Sequence, residues 1–213
     1  MAQRTLFQRT GYQFIRGLLR LLSVTFFRLR FQGRERIPAE GGALVCSNHQ
    51  SYLDPIFVGV VFQRRLNYLA RKTLFRFGPF GWLLGFIDVI PIDRDGFGLG
   101  GIKETLTRLK RGELVLVFPE GTRTATGELA PLKPGFVALA RRSKTGLLPV
   151  GLDGAFNAWP RSARWPRPAK VHVCIGEMIP PERVTAMTDE DLVAELERRI
   201  RACQSQARIA RQR

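Results

Sequence analysis

Large apolar residues are dense between residues 5 and 31, and polar residues fall among them at helical spacing. Five polar residues share one face of a helix because they lie three or four positions apart: Arg9, Gln13, Arg16, Arg20 and Ser23. Phe and Leu side chains cover the rest of the circumference. A helix lying in the plane of a membrane would place the arginines at lipid phosphates and the apolar side chains below them. The pattern predicts an amphipathic membrane-binding segment over residues 1–32. The alternative is a helix or helical hairpin that covers the protein's own core.

From Pro38 onward, short apolar runs alternate with stretches of helical periodicity. The apolar runs predict six strands, at residues 43–46, 66–70, 87–92, 114–118, 147–151 and 171–175. The periodic stretches predict helices at residues 54–62, 98–111, 135–142 and 188–207, with a short helical or looped segment at 79–85. Alternation of strand and helix predicts one α/β domain, residues 33–213, with a largely parallel sheet flanked by helices.

The chain is strongly basic but ordinarily apolar. It has 34 Lys and Arg against 18 Asp and Glu, a formal net charge of +16, and 45% apolar residues among 213. The apolar fraction excludes a disordered chain, and the absence of an uncharged 18-residue window excludes a polytopic membrane protein. The charge indicates a polyanionic partner, which is a nucleic acid, an anionic membrane surface or a phosphorylated small molecule.

The cysteines and the N-terminus indicate a reducing, cytosol-facing location. Cys46, Cys174 and Cys203 form no even framework and no CxxC pair, so neither disulfides nor a zinc site is predicted. Arg16 and Arg20 interrupt the N-terminal apolar stretch, which therefore does not resemble a signal peptide. No other metal-ligand spacing and no dinucleotide fingerprint is present, so we expect no metal and no cofactor.

One histidine stands where α/β folds place reactive groups. His49 follows the first predicted strand, and Asp54 comes five residues later at the start of a predicted helix. This spacing lets the carboxylate bind one ring nitrogen, fix the tautomer and stabilise the imidazolium, which leaves the other nitrogen to take a proton from a substrate hydroxyl. An exposed His and a helix-capping Asp are the alternative. The second histidine, His172, is predicted to be a strand residue without a catalytic role.

A second segment follows the fourth predicted strand and reaches the same edge of the sheet. It reads Phe118-Pro119-Glu120-Gly121-Thr122-Arg123, and its Pro and Gly shape a turn. The turn presents Glu120, Thr122 and Arg123 with exposed backbone N–H groups. An arginine beside amides and a hydroxyl suits a phosphate monoester. An ordinary loop with a surface arginine is the alternative.

Four ordered blocks of the chain resemble the 1-acyl-glycerol-3-phosphate (lysophosphatidic acid) acyltransferase family. They are Asn-His-x4-Asp at 48–54, the segment 85–94 that ends Ile-Pro-Ile-Asp-Arg, Phe-Pro-Glu-Gly-Thr-Arg at 118–123 with its continuation to 135, and Leu-Pro-Val at 148–150. The blocks cover about residues 33–180. One position departs from the family pattern, because Pro134 stands where the family commonly has Lys or Arg.

The resemblance implies a mechanism and a binding site. His49 would be the general base on the acceptor hydroxyl, with Asp54 as its orienting partner, and the hydroxyl would attack the thioester of acyl-CoA or acyl carrier protein without an acyl-enzyme. The residues implied to hold the acceptor and its phosphate are Arg94, Glu120, Gly121, Thr122 and Arg123, with Lys133 as a further contact. The family also carries an N-terminal helical pair that sits on the membrane.

These expectations define a peripheral or monotopic membrane enzyme at the cytoplasmic face. It would acylate lysophosphatidic acid to phosphatidic acid, with an anionic membrane surface, the lysophospholipid and the acyl donor as partners and without nucleic acid. Two alternatives stay open. One is an acyltransferase for another acceptor, such as glycerol-3-phosphate, a lyso-ornithine lipid or a lysophospholipid. The other is a non-enzymatic basic membrane-binding protein, which gives no reason for His49, Asp54 and the 118–123 segment to occur together.

Overall fold

The computed structural model describes residues 6–93 and 98–213, and in them the chain alternates between strands and helices. The described strands are β1 Arg30–Gln32, β2 Ala43–Ser47, β3 Leu66–Asn67, β4 Leu69–Arg71, β5 Ile90–Ile92, β6 Leu114–Val117, β7 Gly146–Asp153 and β8 His172–Ile175. The described helices are α1 Leu6–Phe27, α2 Asp54–Val61, α3 Gly78–Phe86, α4 Gly98–Lys110, α5 Gly135–Ser143, α6 Ala155–Ala158, α7 Pro181–Ala186 and α8 Asp189–Gln212.

Six strands form the main sheet in the order β1–β8–β7–β2–β6–β3. The four strands from β7 to β3 are mutually parallel, whereas β8 runs antiparallel to β7 and β1 runs parallel to β8. The prediction of one α/β domain with a largely parallel sheet is confirmed. Because the central strands are parallel, the carboxyl ends of β2, β6 and β7 meet at one edge, which is where α/β folds bind ligands.

Apolar residues cover both faces of the sheet, as a mostly parallel sheet requires. Successive residues of β2 alternate between the faces: Val45 packs with α2 and Leu148 of β7 in one apolar cluster, whereas Leu44 packs in a second cluster. The second cluster contains buried side chains of α4, α5 and α8, among them Leu192. Helices therefore flank the sheet on both sides and hold the strand ends in place.

Helix α8 follows the predicted pattern closely. The side chain of Thr188 accepts the backbone N–H of Asp191 at 3.1 Å, as an N-cap residue does. The predicted apolar stripe is buried: Leu192, Leu196, Ile200, Cys203 and Ala207. The helix lies unusually close to β7, because a Cβ added to Gly151 would stand 2.2 Å from the backbone nitrogen of Gln204.

The predicted strand at 66–70 is split between two sheets. Leu66 pairs with Leu114 in the main sheet, whereas Leu69 pairs with Ile90 in a separate two-stranded sheet of β4 and β5. The predicted strand at 87–92 is reduced to β5. Pro91 lies in β5 and has no N–H to donate, which suits an edge strand. The apolar run alone does not reveal this change of partner.

Helix α1 packs on the protein through part of the face that the sequence pattern assigns to lipid phosphates. The guanidinium group of Arg16 donates to the backbone carbonyls of Phe62 and Gln63 just after α2, where the helix dipole favours a cation. Ser23 is 2% exposed. The prediction is therefore wrong for Arg16 and Ser23, because the protein's own carbonyls and core occupy that side of the helix.

The opposite side of α1 exposes large apolar side chains: Phe14, Leu18, Leu21, Leu22, Val24 and Phe26. Residues 6–32 form one helix followed by β1, not the helical pair that the family resemblance implies. Because β1 pairs with β8, the main sheet begins within the predicted segment 1–32. Within residues 6–93 and 98–213, no helix combines the length and the apolarity that crossing a bilayer requires.

Candidate active site

The ends of two neighbouring strands bring the two sequence segments together. β2 and β6 pair in parallel, with Cys46 opposite Val117. Just beyond these ends, the backbone N–H of His49 donates to Oε1 of Glu120 at 2.6 Å. The backbone N–H of Thr124, the residue that directly follows the 118–123 turn, donates to the carbonyl of His49 at 2.8 Å. These two hydrogen bonds close the turn onto the histidine segment.

The ring of His49 also contacts the turn segment. Its imidazole stacks on the ring of Phe118, with ring centres 3.9 Å apart and planes at 14°. Phe118 is the first residue after β6, so the end of this strand supplies the ring on which the imidazole stacks. The stacking limits rotation of the imidazole out of its plane.

The side chains of His49 and Asp54 form the central contact of the site. Nδ1 of His49 lies 2.7 Å from Oδ2 of Asp54, the first residue of α2. The same oxygen accepts the backbone N–H groups of Gln50 at 2.6 Å and Ser51 at 2.7 Å. Asp54 is fully buried, and burial raises its pKa while the hydrogen bond from His49 lowers it. These contacts fix the imidazole through Nδ1 and leave Nε2 as the nitrogen available to a substrate.

Glu120 is buried next to the backbone of His49 and is 3% exposed. Its two oxygens accept backbone N–H groups, Oε1 from His49 and Oε2 from Ala130 at 2.8 Å. Burial raises the pKa of Glu120 to about 7; these two hydrogen bonds act in the opposite direction, and the charge of Asp54 adds to the rise. The family resemblance groups Glu120 with the acceptor contacts, but its carboxylate is occupied in holding two backbone segments together.

Arg123 stacks over a residue of the histidine segment. Its guanidinium carbon lies 3.4 Å from the centre of the Tyr52 ring, an arrangement that stabilises a cation. Within residues 6–93 and 98–213, no acceptor reaches the buried Nη1 atom of Arg123. Buried donors are normally hydrogen-bonded, so this nitrogen is suited to an anionic ligand.

The remaining predicted contacts are distributed around the turn. Gly121 has a φ of +73° and Thr122 is exposed. The Nζ atom of Lys133 lies 3.1 Å from the position that a Cβ on Gly121 would occupy, so the lysine reaches the same turn. Arg94 lies outside the described residues. In the part of the chain that the structure describes, no group of His, Cys, Asp and Glu side chains could hold a metal ion.

Two buried amide side chains hold the histidine segment and have no role in the sequence-based prediction. Asn48 exchanges two hydrogen bonds with the backbone of Leu152, at 3.0 and 2.7 Å, and so ties the end of β2 to β7. Gln50 donates to the carbonyl of Gly127 at 2.6 Å and accepts the N–H of Phe156 at 3.2 Å. Polar residues directly after a buried strand are the only local signal for these contacts.

Comparisons with known proteins show the family to which this chain belongs. Residues 28–153 match the family model described as Acyltransferase. The chain is 31% identical over 201 residues to the 1-acyl-sn-glycerol-3-phosphate acyltransferase of Bacillus subtilis, which covers 89% of this chain and 98% of that protein. It is 32% identical over 157 residues to the enzyme of the same name from Pseudomonas aeruginosa, which covers 72% of this chain and 60% of that protein.

The fold is also that of a solved protein. The crystal structure of the 1-acyl-sn-glycerophosphate (LPA) acyltransferase PlsC from Thermotoga maritima matches with a TM-score of 0.78 and 21% identity, over 96% of this chain and 83% of that one. The family model and the named relatives show that the chain is an O-acyltransferase. The chain belongs to the family of 1-acyl-sn-glycerol-3-phosphate acyltransferases.

Glu120 should make the stability of the protein depend on pH. Its pKa is about 7 in the folded protein, against an ordinary value of 4.5. Between these two values the folded state holds a proton that the unfolded state has released. The bound proton therefore stabilises the folded state fully below pH 4.5, and this stabilisation is lost by about pH 7. We expect the free energy of unfolding to fall across this window by at most about 1.4 kcal/mol per pH unit. Urea denaturation at a series of pH values measures this slope.

Glu120→Gln removes the titrating group and should flatten the slope. Glu182→Gln, at an exposed position on α7, is the matched control and should keep the native slope. Equal slopes in the native protein and Glu120→Gln would contradict the assignment.

Proposed function

We propose that this protein transfers a fatty acyl group from acyl-CoA or acyl carrier protein to the free hydroxyl of lysophosphatidic acid, which gives phosphatidic acid. The names of its relatives from Bacillus subtilis and Pseudomonas aeruginosa support this acceptor. The observation that carries the chemistry is the 2.7 Å contact between His49 and Asp54, which lies at the strand edge beside Arg123. The thioester is itself an activated acyl group, so the proposed reaction needs no cofactor and no metal.

His49 acts as the general base in this proposal. Nε2 takes the proton of the acceptor hydroxyl as the hydroxyl oxygen attacks the thioester carbonyl carbon. The tetrahedral adduct collapses, the carbon–sulfur bond breaks, and the departing thiolate takes the proton from the imidazolium. An ester, a free thiol and a neutral His49 result, and no acyl-enzyme forms.

Asp54 orients the base and stabilises its charged form. A carboxylate on Nδ1–H holds the imidazole in the tautomer that leaves Nε2 unprotonated, and it favours the imidazolium once the proton has moved. The backbone N–H groups of Gln50 and Ser51 hold the carboxylate oxygen that contacts His49. Asp54 therefore cannot turn away from the ring without losing three hydrogen bonds. Glu120 is a positioning residue, because it acts on His49 through the backbone.

The cations at the turn bind the acceptor phosphate. Arg123 offers the unpartnered Nη1 nitrogen, and Lys133 lies against Gly121 at the same turn. The exposed hydroxyl of Thr122 adds a hydrogen-bond donor on this side. Arginine and lysine beside a turn are a common way to bind a phosphate monoester. Arg94 remains a predicted contact from the sequence resemblance.

The exposed face of α1 binds the membrane that contains the acceptor. Phe14 is 74% exposed and Leu21 is 62% exposed, and contiguous apolar surface of this kind marks an interaction site. Helix α3 and the residue before it add exposed aromatic side chains: Phe77, Phe80 and Trp82. With Arg16 held by the protein, α1 lies on the domain and its outer face enters the interface in a peripheral or monotopic manner. The basic surface favours anionic lipid, and the three free cysteines suit the cytoplasmic side.

His49→Ala should slow transfer strongly without loss of the fold. Removal of a general base lowers the rate by about 10²–10⁴-fold. The assay is release of CoA thiol from palmitoyl-CoA in the presence of lysophosphatidic acid, with thermal unfolding as a check on folding. Native activity in a folded His49→Ala protein would contradict the mechanism. Transfer to glycerol-3-phosphate or to another lysolipid in preference to lysophosphatidic acid would contradict the acceptor.

Arg123→Gln should weaken acceptor binding more than it slows the chemistry. Loss of a hydrogen bond to a charged group costs about 1.5–3 kcal/mol, so the KM for lysophosphatidic acid should rise by about tenfold or more. For monoacylglycerol, which lacks the phosphate, the native protein and the variant should have the same KM. Arg164→Gln is the matched control, because Arg164 also lies over an aromatic ring, that of Trp165 at 5.7 Å. A rise in KM that is equal for both variants would argue against a phosphate role for Arg123.

Leu21→Ser should weaken membrane binding. A leucine that enters the apolar layer contributes about 1.5–3 kcal/mol, so sedimentation with phosphatidylcholine–phosphatidic acid vesicles should show binding weakened by about tenfold or more. Phe14→Ser/Leu21→Ser should be weaker still. Ile209→Ser is the control: Ile209 is 55% exposed on α8, which covers the opposite face of the sheet from α1. Equal binding by Leu21→Ser and Ile209→Ser would exclude α1 as the docking face.

A further inference from the structure

A basic cavity lies at the same edge of the sheet as His49, but in another part of that edge. Its volume is about 110 Å³, and its polar lining residues are Arg28, Arg30, Lys170, His172, Arg211 and Arg213. Strand pairing builds the cavity, because His172 at the start of β8 lies opposite Asp153 at the end of β7 and beside Arg30 of β1. β7 separates β8 from β2, so the cavity lies roughly 10 Å from β2 across the sheet, at about 4.8 Å per strand.

His172 is buried at this cavity without a hydrogen-bond partner. Its relative exposure is 6%, and neither ring nitrogen meets a donor or acceptor in residues 6–93 and 98–213. A polar group buried in this way costs free energy unless a ligand or water satisfies it. Burial lowers the pKa of His172, and the nearby charge of Arg30 lowers it further. Both effects favour the neutral imidazole, which offers one N–H donor.

The local charge is strongly positive. Asp153 is the carboxylate nearest to His172 in the sheet, and it already accepts hydrogen bonds from Arg208 at 3.2 Å and Arg211 at 2.5 Å. No carboxylate of the described residues reaches Arg28, Arg30 or Lys170 within 4.0 Å. The cavity therefore gathers more positive charge than its own acids neutralise.

Arg28 adds a cation at a position where the backbone favours glycine. It directly follows α1 and has a φ of +43°, in the left-handed region that glycine usually occupies after a helix. A side chain strains the backbone there. Arg28→Gly therefore removes a cation from the cavity while it relieves the backbone, which makes it a suitable probe.

We propose that this cavity binds a phosphate group on a ligand other than the acceptor held at Arg123. Two kinds of ligand carry such a phosphate. An anionic phospholipid headgroup could enter beside the end of α1, where Phe26 is 55% exposed next to Arg28. The 3′-phosphate of an acyl-CoA donor could bind there because the cavity shares the sheet edge of His49. Binding of the acyl-CoA phosphate rests on the proposed function, whereas binding of a phospholipid headgroup requires no turnover.

Arg28→Gly/Lys170→Gln tests the site with two exposed cations removed. Arg142→Gln/Arg183→Gln is the matched control, since both arginines lie away from the cavity, where α5 ends and in α7, at the opposite edge of the sheet. Titration calorimetry uses inorganic phosphate, CoA and dephospho-CoA. Sedimentation uses phosphatidylcholine vesicles with and without phosphatidic acid.

The native protein and the control variant should bind alike the probe that the native protein binds most tightly. Arg28→Gly/Lys170→Gln should bind that probe at least about tenfold more weakly. Tighter binding of CoA than of dephospho-CoA, lost in the cavity variant, supports the donor phosphate. A selective loss of binding to phosphatidic acid vesicles supports the lipid headgroup. Equal binding of every probe by the cavity variant and the control would overturn the proposal.

The pH dependence of sulfate binding tests the contribution of His172. Sulfate does not titrate near neutral pH, and its binding favours the imidazolium over the neutral ring. Native affinity for sulfate should therefore rise as the pH falls from about 8 to about 5, where histidine titrates. The groups facing His172 are Arg30 on β1, Asp153 on β7 and Arg211 on α8, with Lys170 beside it. His172→Asn should lose the pH dependence, and the same dependence in both proteins would overturn the role of His172.

These tests separate failure of the site from failure of the proposed reaction. Each is a binding measurement that needs no turnover, so it can be repeated on His49→Ala. Phosphate binding that persists in His49→Ala supports a site independent of the catalytic base.

Discussion

The hydrogen bond from the backbone N–H of His49 to the buried carboxylate of Glu120 joins the two segments on which the site depends. One segment follows β2 and the other follows β6, and each is a loop whose conformation the strands do not determine. The second oxygen of Glu120 binds the N–H of Ala130, so one buried carboxylate connects three places in the chain. Because it binds the backbone of His49, it can set the position of the ring without contacting a substrate.

Asp54 and Glu120 have different roles because they contact different groups. Asp54 and Glu120 are both buried, but Asp54 contacts the imidazole whereas Glu120 contacts only backbone N–H groups in the described part of the site. Burial raises the pKa of both carboxyl groups, and hydrogen bonds to the ionised form oppose the rise. The hydrogen-bond donors therefore offset only part of the cost of burying these groups, and the pKa of each remains raised.

The basic charge of the chain has several distinct structural uses. Arg16 binds carbonyls at the end of α2, Arg123 stacks over Tyr52 beside the proposed catalytic pair, and Arg211 holds Asp153 near the basic cavity around His172. These arginines are separated along the chain and contact different chemical groups. A single net charge of +16 therefore does not describe one basic surface with one partner.

The sequence predicted most strands and helices of the α/β domain, the cap of α8 at Thr188, and the two segments that carry His49 and Arg123. These features depend on local spacing, on strand and helix periodicity, and on residue types that occur together. Three features become visible only in the folded protein: residues 66–70 divide between two sheets, Arg16 faces the protein, and Glu120 binds backbone N–H groups. The same is true of the cavity around His172, whose lining comes from both ends of the chain. Long-range pairing of β1 with β8, and packing of α8 on β7, bring the residues of this cavity together, and no local pattern of side chains encodes that pairing.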